Sequence, residues 1–369
     1  MQHLMCGNGI QQSSAAMGQA VQRKEMDSLK LKRPVQLKQQ NMEEKTMLVP
    51  VLLFILGLAL LIKGGDWFVD GATGLAHRFH LPELLIGATV VSIGTTLPEV
   101  MVSAQAAIAH NSGISYGNAI GSVICNTSLI SALTIAIRPS LVNKKTLRLP
   151  VTAFFLAAIF YAVIAYTQGA FSRLHGVILL CGFVVYMVTT VLQMKKHPDE
   201  SAVEAEEEGQ KERELWLELV LLIVGAVAIA FGANLLVDNG TKIAAALGVP
   251  DSVIGLTMVA LGTSLPELVT AITALVKGHS ALSLGNIIGA NLFNLVLVSG
   301  TAITISPFAI PAEKTLNGVN ASLLVDIPVM FAVMLILTVP SLIRGKLSRW
   351  QGILLLAIYT AFTVFQFVM

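Results

Sequence analysis

Residues Ile86–Val100 read IGATVVSIGTTLPEV, and residues Ile254–Leu268, 168 positions further on, read IGLTMVALGTSLPEL. The same offset lays YGNAIGSVICN, from Tyr116, on LGNIIGANLFN, from Leu284, without a gap. Between Gly87 and Asn126, 16 of 40 positions are identical to their partners, among them Gly94/Gly262, Thr95/Thr263, Pro98/Pro266, Glu99/Glu267, Gly121/Gly289 and Asn126/Asn294. Low complexity does not align so many polar residues in one register, so the chain contains an internal duplication.

Around these motifs the chain is apolar. Of 369 residues, 54% are hydrophobic and 12% charged, more apolar surface than one soluble core encloses. The apolar residues form ten runs: Met47–Phe68, Leu84–Ala109, Ile114–Ile137, Leu149–Tyr166, Leu174–Met194, Leu215–Val237, Val253–Val276, Ala281–Ile305, Ala321–Ile343 and Gly352–Met369. About 20 residues of helix cross the roughly 30 Å hydrocarbon core of a bilayer. The runs lack the period-two alternation of barrel strands, and backbone in lipid must satisfy its own hydrogen bonds, so helices are predicted. The expected fold is an all-α membrane protein of ten transmembrane helices in two five-helix repeats, with the lipid bilayer as its surroundings. Five is odd, so the second repeat enters the membrane from the opposite side and the repeats are inverted. Such repeats are a transporter architecture, with the site near the midplane where interrupted helices of both halves meet.

The expected organisation is a polar, Gln-rich, disordered tail over residues 1–46, a first repeat over 47–194, an acidic linker over 195–214, and a second repeat over 215–369. The tail has no apolar run long enough for a signal peptide. The linker acids Glu204, Glu206, Glu207 and Glu208 read as a solvated charge run. Alternate connections hold Arg78; Arg138, Lys144, Lys145 and Arg148; Lys195, Lys196, Lys211 and Arg213; Lys277; and Arg344, Lys346 and Arg349, 13 in all. The opposite set holds only Arg173, Lys242 and Lys314. The positive-inside rule therefore assigns the first set and the linker to the cytoplasm, although the basic tail, from Arg23 to Lys45, points the other way.

Cys6, Cys125 and Cys181 are scattered, without disulfide or zinc spacing. The net charge of +2 sits in short connections and carries no nucleic-acid signal. No cofactor and no obligate protein partner is evident.

An ionised carboxylate inside an apolar helix needs compensation, and no Lys or Arg accompanies Glu99 or Glu267 in its helix. A bound cation is the natural partner. Pro98 and Pro266 cannot donate the helical hydrogen bond, which frees carbonyls around Ser92–Gly94 and Ala260–Gly262. Thr95 and Thr96 stand four and three residues before Glu99, and Thr263 and Ser264 likewise before Glu267, so hydroxyls and carboxylate share a helix face. In the following helix Ser122 and Asn126 are four apart, with Ala290 and Asn294 as their counterparts. A lone Asn in a membrane helix is interhelical glue more often than a ligand; recurrence at one register in both halves selects the ligand role for Asn126 and Asn294. Carboxylates, hydroxyls, amides and carbonyls form a hard-cation set with no soft ligand. Two carboxylates neutralise one divalent ion or two monovalent ones, so ions of the two kinds compete, and obligatory exchange follows if only an occupied cage lets the halves rock. Gly117, Gly121, Gly285 and Gly289 form small-xxx-small spacings expected to bring helices close. Asp70 and Asp238, also 168 apart, read as capping or interface residues.

GTTLPE with GNAIGSVICN, and GTSLPE with GNIIGANLFN, resemble the two alpha repeats of the cation/calcium exchanger superfamily, in its bacterial sodium/calcium antiporter branch, over Met47–Met369. The resemblance implies a ten-helix antiporter of the bacterial cytoplasmic membrane that moves calcium and sodium ions. It also implies carboxylate ligands at Glu99 and Glu267, hydroxyl ligands at Thr95, Thr96, Thr263, Ser264 and Ser122, carbonyl ligands at Ser92 and Ala260, and an amide ligand at Asn126. Ala290 stands where some members have Ser, which removes a sodium ligand; Asn294 stands where some, including potassium-dependent ones, have Asp. Proton/calcium exchangers tend to carry Asn where this chain has Thr96 and Ser264, which favours sodium. The alternatives are a proton-coupled divalent antiporter, since a membrane Glu can carry a proton, and a passive channel. An intramembrane enzyme is disfavoured, because His77, His80, His110, His175, His197 and His279 fall at helix ends and no HExxH is present.

Overall fold

The computed structural model describes residues 47–196, 214–247, 260–311, 315–316 and 318–368. The predicted tail, most of the linker with its four acids, and the first residues of the second motif, through Val259, lie outside the described residues. The chain divides into two units, Met1–Leu53 and Phe54–Met369. The described part of the first is helical; the packing below is that of the second.

The helices are α1 Met47–Arg78, α2 Glu83–Ile108, α3 Ser112–Ile137, α4 Lys144–Gln168, α5 Arg173–Lys196, α6 Leu215–Ala246, α7 Leu265–Val276, α8 Ser280–Ile305, α9 Ser322–Arg344 and α10 Arg349–Val368. A single helical turn, Ala260–Thr263, precedes α7. Among the described residues eight helices, all of these but α7 and α10, are long and apolar enough to cross a membrane. α1 and α6 continue past the predicted Phe68 and Val237, because no proline intervenes before Pro82 or Pro250. The Asn111 and Asn143 side chains cap α3 and α4 by accepting from Ile114 N and Lys145 N at 3.1 and 3.0 Å. Gly169 and Gly345, with φ of 65° and 67°, end α4 and α9 in the left-handed conformation that costs glycine no steric clash.

The two prolines act differently. An interrupted helix is expected at both motifs, yet α2 runs on through Pro98. In the second motif the helix breaks at Ser264, and Pro266 sits in the first turn of α7, where its missing N–H costs nothing. In α2 the irregularity lies upstream, as a π-helical stretch Gly87–Val91 whose Gly87 carbonyl accepts from Ser92 Oγ at 2.7 Å. Further π-helical stretches start at the repeat-related Asn126 and Asn294. Single-turn π segments of this kind are frequent at functional sites.

α1 and α6 pack antiparallel along a small-residue seam. A Cβ built on Gly57 would meet the Gly232 carbonyl at 2.8 Å, and one on Gly64 the Gly225 carbonyl at 3.0 Å. Gly57 and Gly225 are 168 apart, as are Gly64 and Gly232, so each glycine meets the partner of the other. The last helix of each repeat sits on the other repeat: Gly176 of α5 packs on Gly300 and Thr304 of α8, and Gly352 of α10 packs on Ala132 and Ala136 of α3, which are their repeat counterparts. The connections follow the same exchange. β1 Ala170–Phe171 pairs antiparallel with β2 Phe308–Ala309, and Leu141 bridges to Lys346. A small antiparallel hairpin, β3 Thr315–Leu316 with β4 Val319–Asn320, precedes α9.

α8 is buried along almost all its length, whereas α1, α5 and α6 present residues such as Ile62, Val185, Val188, Val227 and Phe231 outward. Apolar faces of that extent suit lipid rather than water. Inside, one aromatic cluster joins Tyr161, Phe171 and Phe308, with Tyr161 and Phe171 centroids 4.4 Å apart.

Among the described residues, three connections of the positive-rich set, those after α3, α7 and α9, meet at one end. Arg138 Nη1 donates to Leu275 O at 3.4 Å and Lys144 Nζ to Ile343 O at 2.7 Å. Lys277, ending α7, donates to Asp70 Oδ1 at 2.7 Å and Asp66 O at 3.1 Å on α1, which gives Asp70 the interface role expected of it. Lys277→Ala is expected to cost about 1 kcal/mol, since the pair is only partly screened. A lowered thermal midpoint in detergent, restored by Lys277→Arg, checks this; an unchanged midpoint refutes it.

Candidate functional site

α2, α3, α7 and α8 surround one another at the centre of the second unit. The π stretch beginning at Asn126 packs on α7, which carries Glu267, and that beginning at Asn294 packs on α2, which carries Glu99. Each amide is thereby brought to the other half's carboxylate helix. Glu99, Glu267, Asn126 and Asn294 are all 0% exposed, which leaves no solvent to compensate them.

Both oxygens of each carboxylate lack a hydrogen-bond partner in the protein, as do both side-chain polar atoms of Asn126 and Asn294, Thr96 Oγ1 and Ser264 Oγ. Buried polar groups are ordinarily paired, and each orphan costs on the order of 1–3 kcal/mol, more when charged. Eight of these ten atoms are oxygens, and together they call for a common compensating group. The two carboxyls are near enough to repel each other, and the Thr95 and Thr96 hydroxyls stand opposite Glu267 without reaching hydrogen-bonding geometry. A multivalent cation answers the oxygens among them: it removes the like-charge repulsion and gives the carboxylate, hydroxyl and amide oxygens a common partner, while the two amide Nδ2 groups, being donors, face away from it. Among the described residues no three His, Cys, Asp or Glu gather as metal ligands, so the donors are two carboxylates plus neutral oxygens. Such a set fits a hard cation.

Other predicted site residues are placed less centrally or less fully. Ser122 is buried on α3 one turn before Asn126, and Thr263 is half-buried in the turn before α7. Ser92 is buried, but its hydroxyl points to the Gly87 and Asn286 carbonyls. Ala260 begins the turn that precedes α7.

The chain matches the model of the family described as sodium/calcium exchanger protein over residues 49–192 and 217–368, one stretch in each half. It is 30% identical over 353 residues to the sodium/calcium exchanger MaX1 of Methanosarcina acetivorans, covering 86% of this chain and 99% of that protein. A membrane protein of Methanocaldococcus jannaschii is 39% identical over 320 residues, 85% of this chain and 96% of its own. A solved structure of the sodium-calcium exchanger NCX_Mj, soaked with sodium and strontium, superposes with a TM-score of 0.72 at 37% identity, covering 85% of this chain and 97% of that one.

The chain belongs to the sodium/calcium exchanger family. It is a multi-pass integral membrane protein, with helices arranged as in its solved relative.

Three neighbours of the site in this exchanger-family chain escaped the motif reading. Asn118 Nδ2 donates to the Glu99 carbonyl at 3.0 Å and to Ser103 Oγ at 2.8 Å. Asn286 accepts at Oδ1 from Thr95 Oγ1 at 3.2 Å. The two are 168 apart inside the GN dipeptides, so the offset that found the motifs also marked them. Cys125, beside Asn126, lies within electrostatic reach of both carboxylates and accepts from the Tyr359 hydroxyl at 3.9 Å; its copy is Phe293, so the repeat gave no signal. Of the small-xxx-small residues, Gly285 and Gly289 meet α2 at the Leu84 carbonyl and at Ala88 and Ser92. For Gly117 and Gly121 the expected close approach has no counterpart, since no atom of the described residues comes within 4 Å of a built Cβ. The seam partners of Gly285 and Gly289 lie on α2, and the matching part of the second motif falls outside the described residues.

Proposed function

We propose that this chain is a secondary active antiporter that exchanges sodium for calcium across the bacterial cytoplasmic membrane by alternating access. The observation that carries this reading is the cluster of buried, unpartnered oxygens around Glu99 and Glu267. Calcium is the cargo when both carboxylates face one divalent ion, and sodium competes for the same oxygens at a site of charge −2. Glu99 and Glu267 supply the charge; Thr95, Thr96, Thr263, Ser264 and Ser122 supply hydroxyls; Asn126 and Asn294 supply amide oxygens; and Ser92 and Ala260 supply backbone carbonyls. The names of the relatives favour sodium over protons as the coupling ion. Transport uses no enzymatic step, no cofactor and no obligate protein partner.

The proposed organisation is ten membrane helices in two inverted repeats, 47–194 and 215–369, with a tail over 1–46 and a cytoplasmic linker over 195–214. Support comes from the α1/α6 seam, where Gly57 meets Gly232 while Gly64 meets Gly225. Reciprocal contacts of this kind are those a two-fold axis produces, and antiparallel packing of repeat-related helices supports inverted halves.

Calcium uptake into sodium-loaded proteoliposomes diluted into sodium-free buffer tests the proposal. The expected result is uptake that requires the outward sodium gradient. Uptake driven only by a pH gradient would establish proton coupling instead, and uptake independent of either gradient would establish a channel.

A further inference from the structure

The Thr95 hydroxyl is oriented unlike those of several other helical threonines among the described residues. Thr89, Thr127, Thr304 and Thr338 each give their proton to the carbonyl four residues earlier, at 2.6–2.8 Å. This is the usual local bond of a helical threonine. Thr95 instead reaches its own helix only at the Ser92 carbonyl, 3.5 Å away, and turns to α8, where Asn286 Oδ1 lies at 3.2 Å. Asn286 is 0% exposed, and its backbone carbonyl and Oδ1 lie 3.0 and 3.3 Å from Ser92 Oγ of α2, whose single proton has its shortest contact with the Gly87 carbonyl at 2.7 Å.

We propose that Asn286 is a positioning residue for the cation site: it holds the Thr95 proton so that the Thr95 oxygen presents its lone pairs to the ion. The inference rests on the exchange reading of the site given above. A hydroxyl has one proton and two lone pairs, and it ligates a cation only when the proton points elsewhere. Thr95 stands opposite the Glu267 carboxylate, a far stronger acceptor than an amide. Without the Asn286 oxygen, the Thr95 proton turns to Glu267, where it occupies a carboxylate lone pair and competes with the ion. Asn118, the repeat counterpart, instead donates to the Glu99 carbonyl and Ser103. Both asparagines therefore act on α2, Asn118 by donating to it and Asn286 by accepting from it.

Outer partners that orient metal ligands typically contribute about 10–100-fold to affinity. Asn286→Ala is expected to raise the half-saturating calcium concentration about 10-fold in proteoliposomes while leaving the maximal rate within about 2-fold. In a Thr95→Val background, which has no proton to misdirect, Asn286→Ala is expected to have no further effect. Asn286→Asp keeps the acceptor oxygen, so Thr95→Val is expected to weaken calcium in that background as it does in the wild type. Calcium-dependent thermal stabilisation of the purified protein in detergent reads the same affinities without transport. Additive losses from Thr95→Val and Asn286→Ala, or an Asn286→Ala protein with wild-type calcium affinity, would overturn the positioning role. Calcium binding without sodium-driven uptake in the wild type would instead overturn the exchange reading and leave the thermal cycle to judge Asn286.

Discussion

Glu267→Gln and Glu99→Gln should each abolish sodium-driven calcium uptake, while the protein remains folded. The substitution keeps size and hydrogen-bonding capacity and removes one of the two charges of a fully buried site. A carboxylate about 4 Å from a divalent ion interacts by roughly 8 kcal/mol at an effective dielectric of about 20, before desolvation is counted. Retention of half that value corresponds to about 4 kcal/mol, or about 10³-fold in affinity. The folded apo protein should be unharmed or stabilised, because the two carboxyls repel each other in it. Uptake of labelled calcium and calcium-dependent thermal shift measure the two sides of the prediction. Near-normal calcium affinity in either variant would remove that carboxylate from the site.

The second large effect lies in packing. Gly285→Ala places a methyl group within van der Waals overlap of the Leu84 carbonyl, a backbone atom of α2 that no rotamer change can move. The same displacement of α8 would part Gly289 from Ala88 and Ser92 and carry Asn286 away from Thr95. Overpacking of a rigid seam costs more than the 1–3 kcal/mol typical of adaptable cores, so a loss of about 3 kcal/mol or more is expected. It would appear as a poor yield of monodisperse protein. A monodisperse Gly285→Ala protein with the wild-type thermal midpoint would show that the α2/α8 seam is not a tight one.

Much of this was legible before any coordinates. An offset of 168 residues paired Glu99 with Glu267 and Asn126 with Asn294, and the apolar runs foretold where helices lie. Both readings rest on local pattern: a carboxylate recurring in an apolar run declares a charge that must be compensated, whatever the packing around it. The role of Asn286 was not legible, although its GN dipeptide recurs, because a repeat announces that two residues are alike and not what each will touch. The same holds for the prolines. Pro98 and Pro266 occupy one register, yet α2 passes through the first while the helix breaks before the second.

The sequence by itself determined a duplicated, helical membrane protein with two carboxylates needing a cation, since periodicity, length and the cost of buried charge are properties of short segments. Only the tertiary structure decided that α5 and α10 cross to the opposite halves, that Gly285 meets the Leu84 carbonyl, and that Thr95 gives its proton to Asn286. Those outcomes depend on distances between segments roughly 120 to 220 residues apart. Two copies of one pattern have the same local preferences, and they diverge where the neighbours they meet differ by a single side chain or a small shift of backbone.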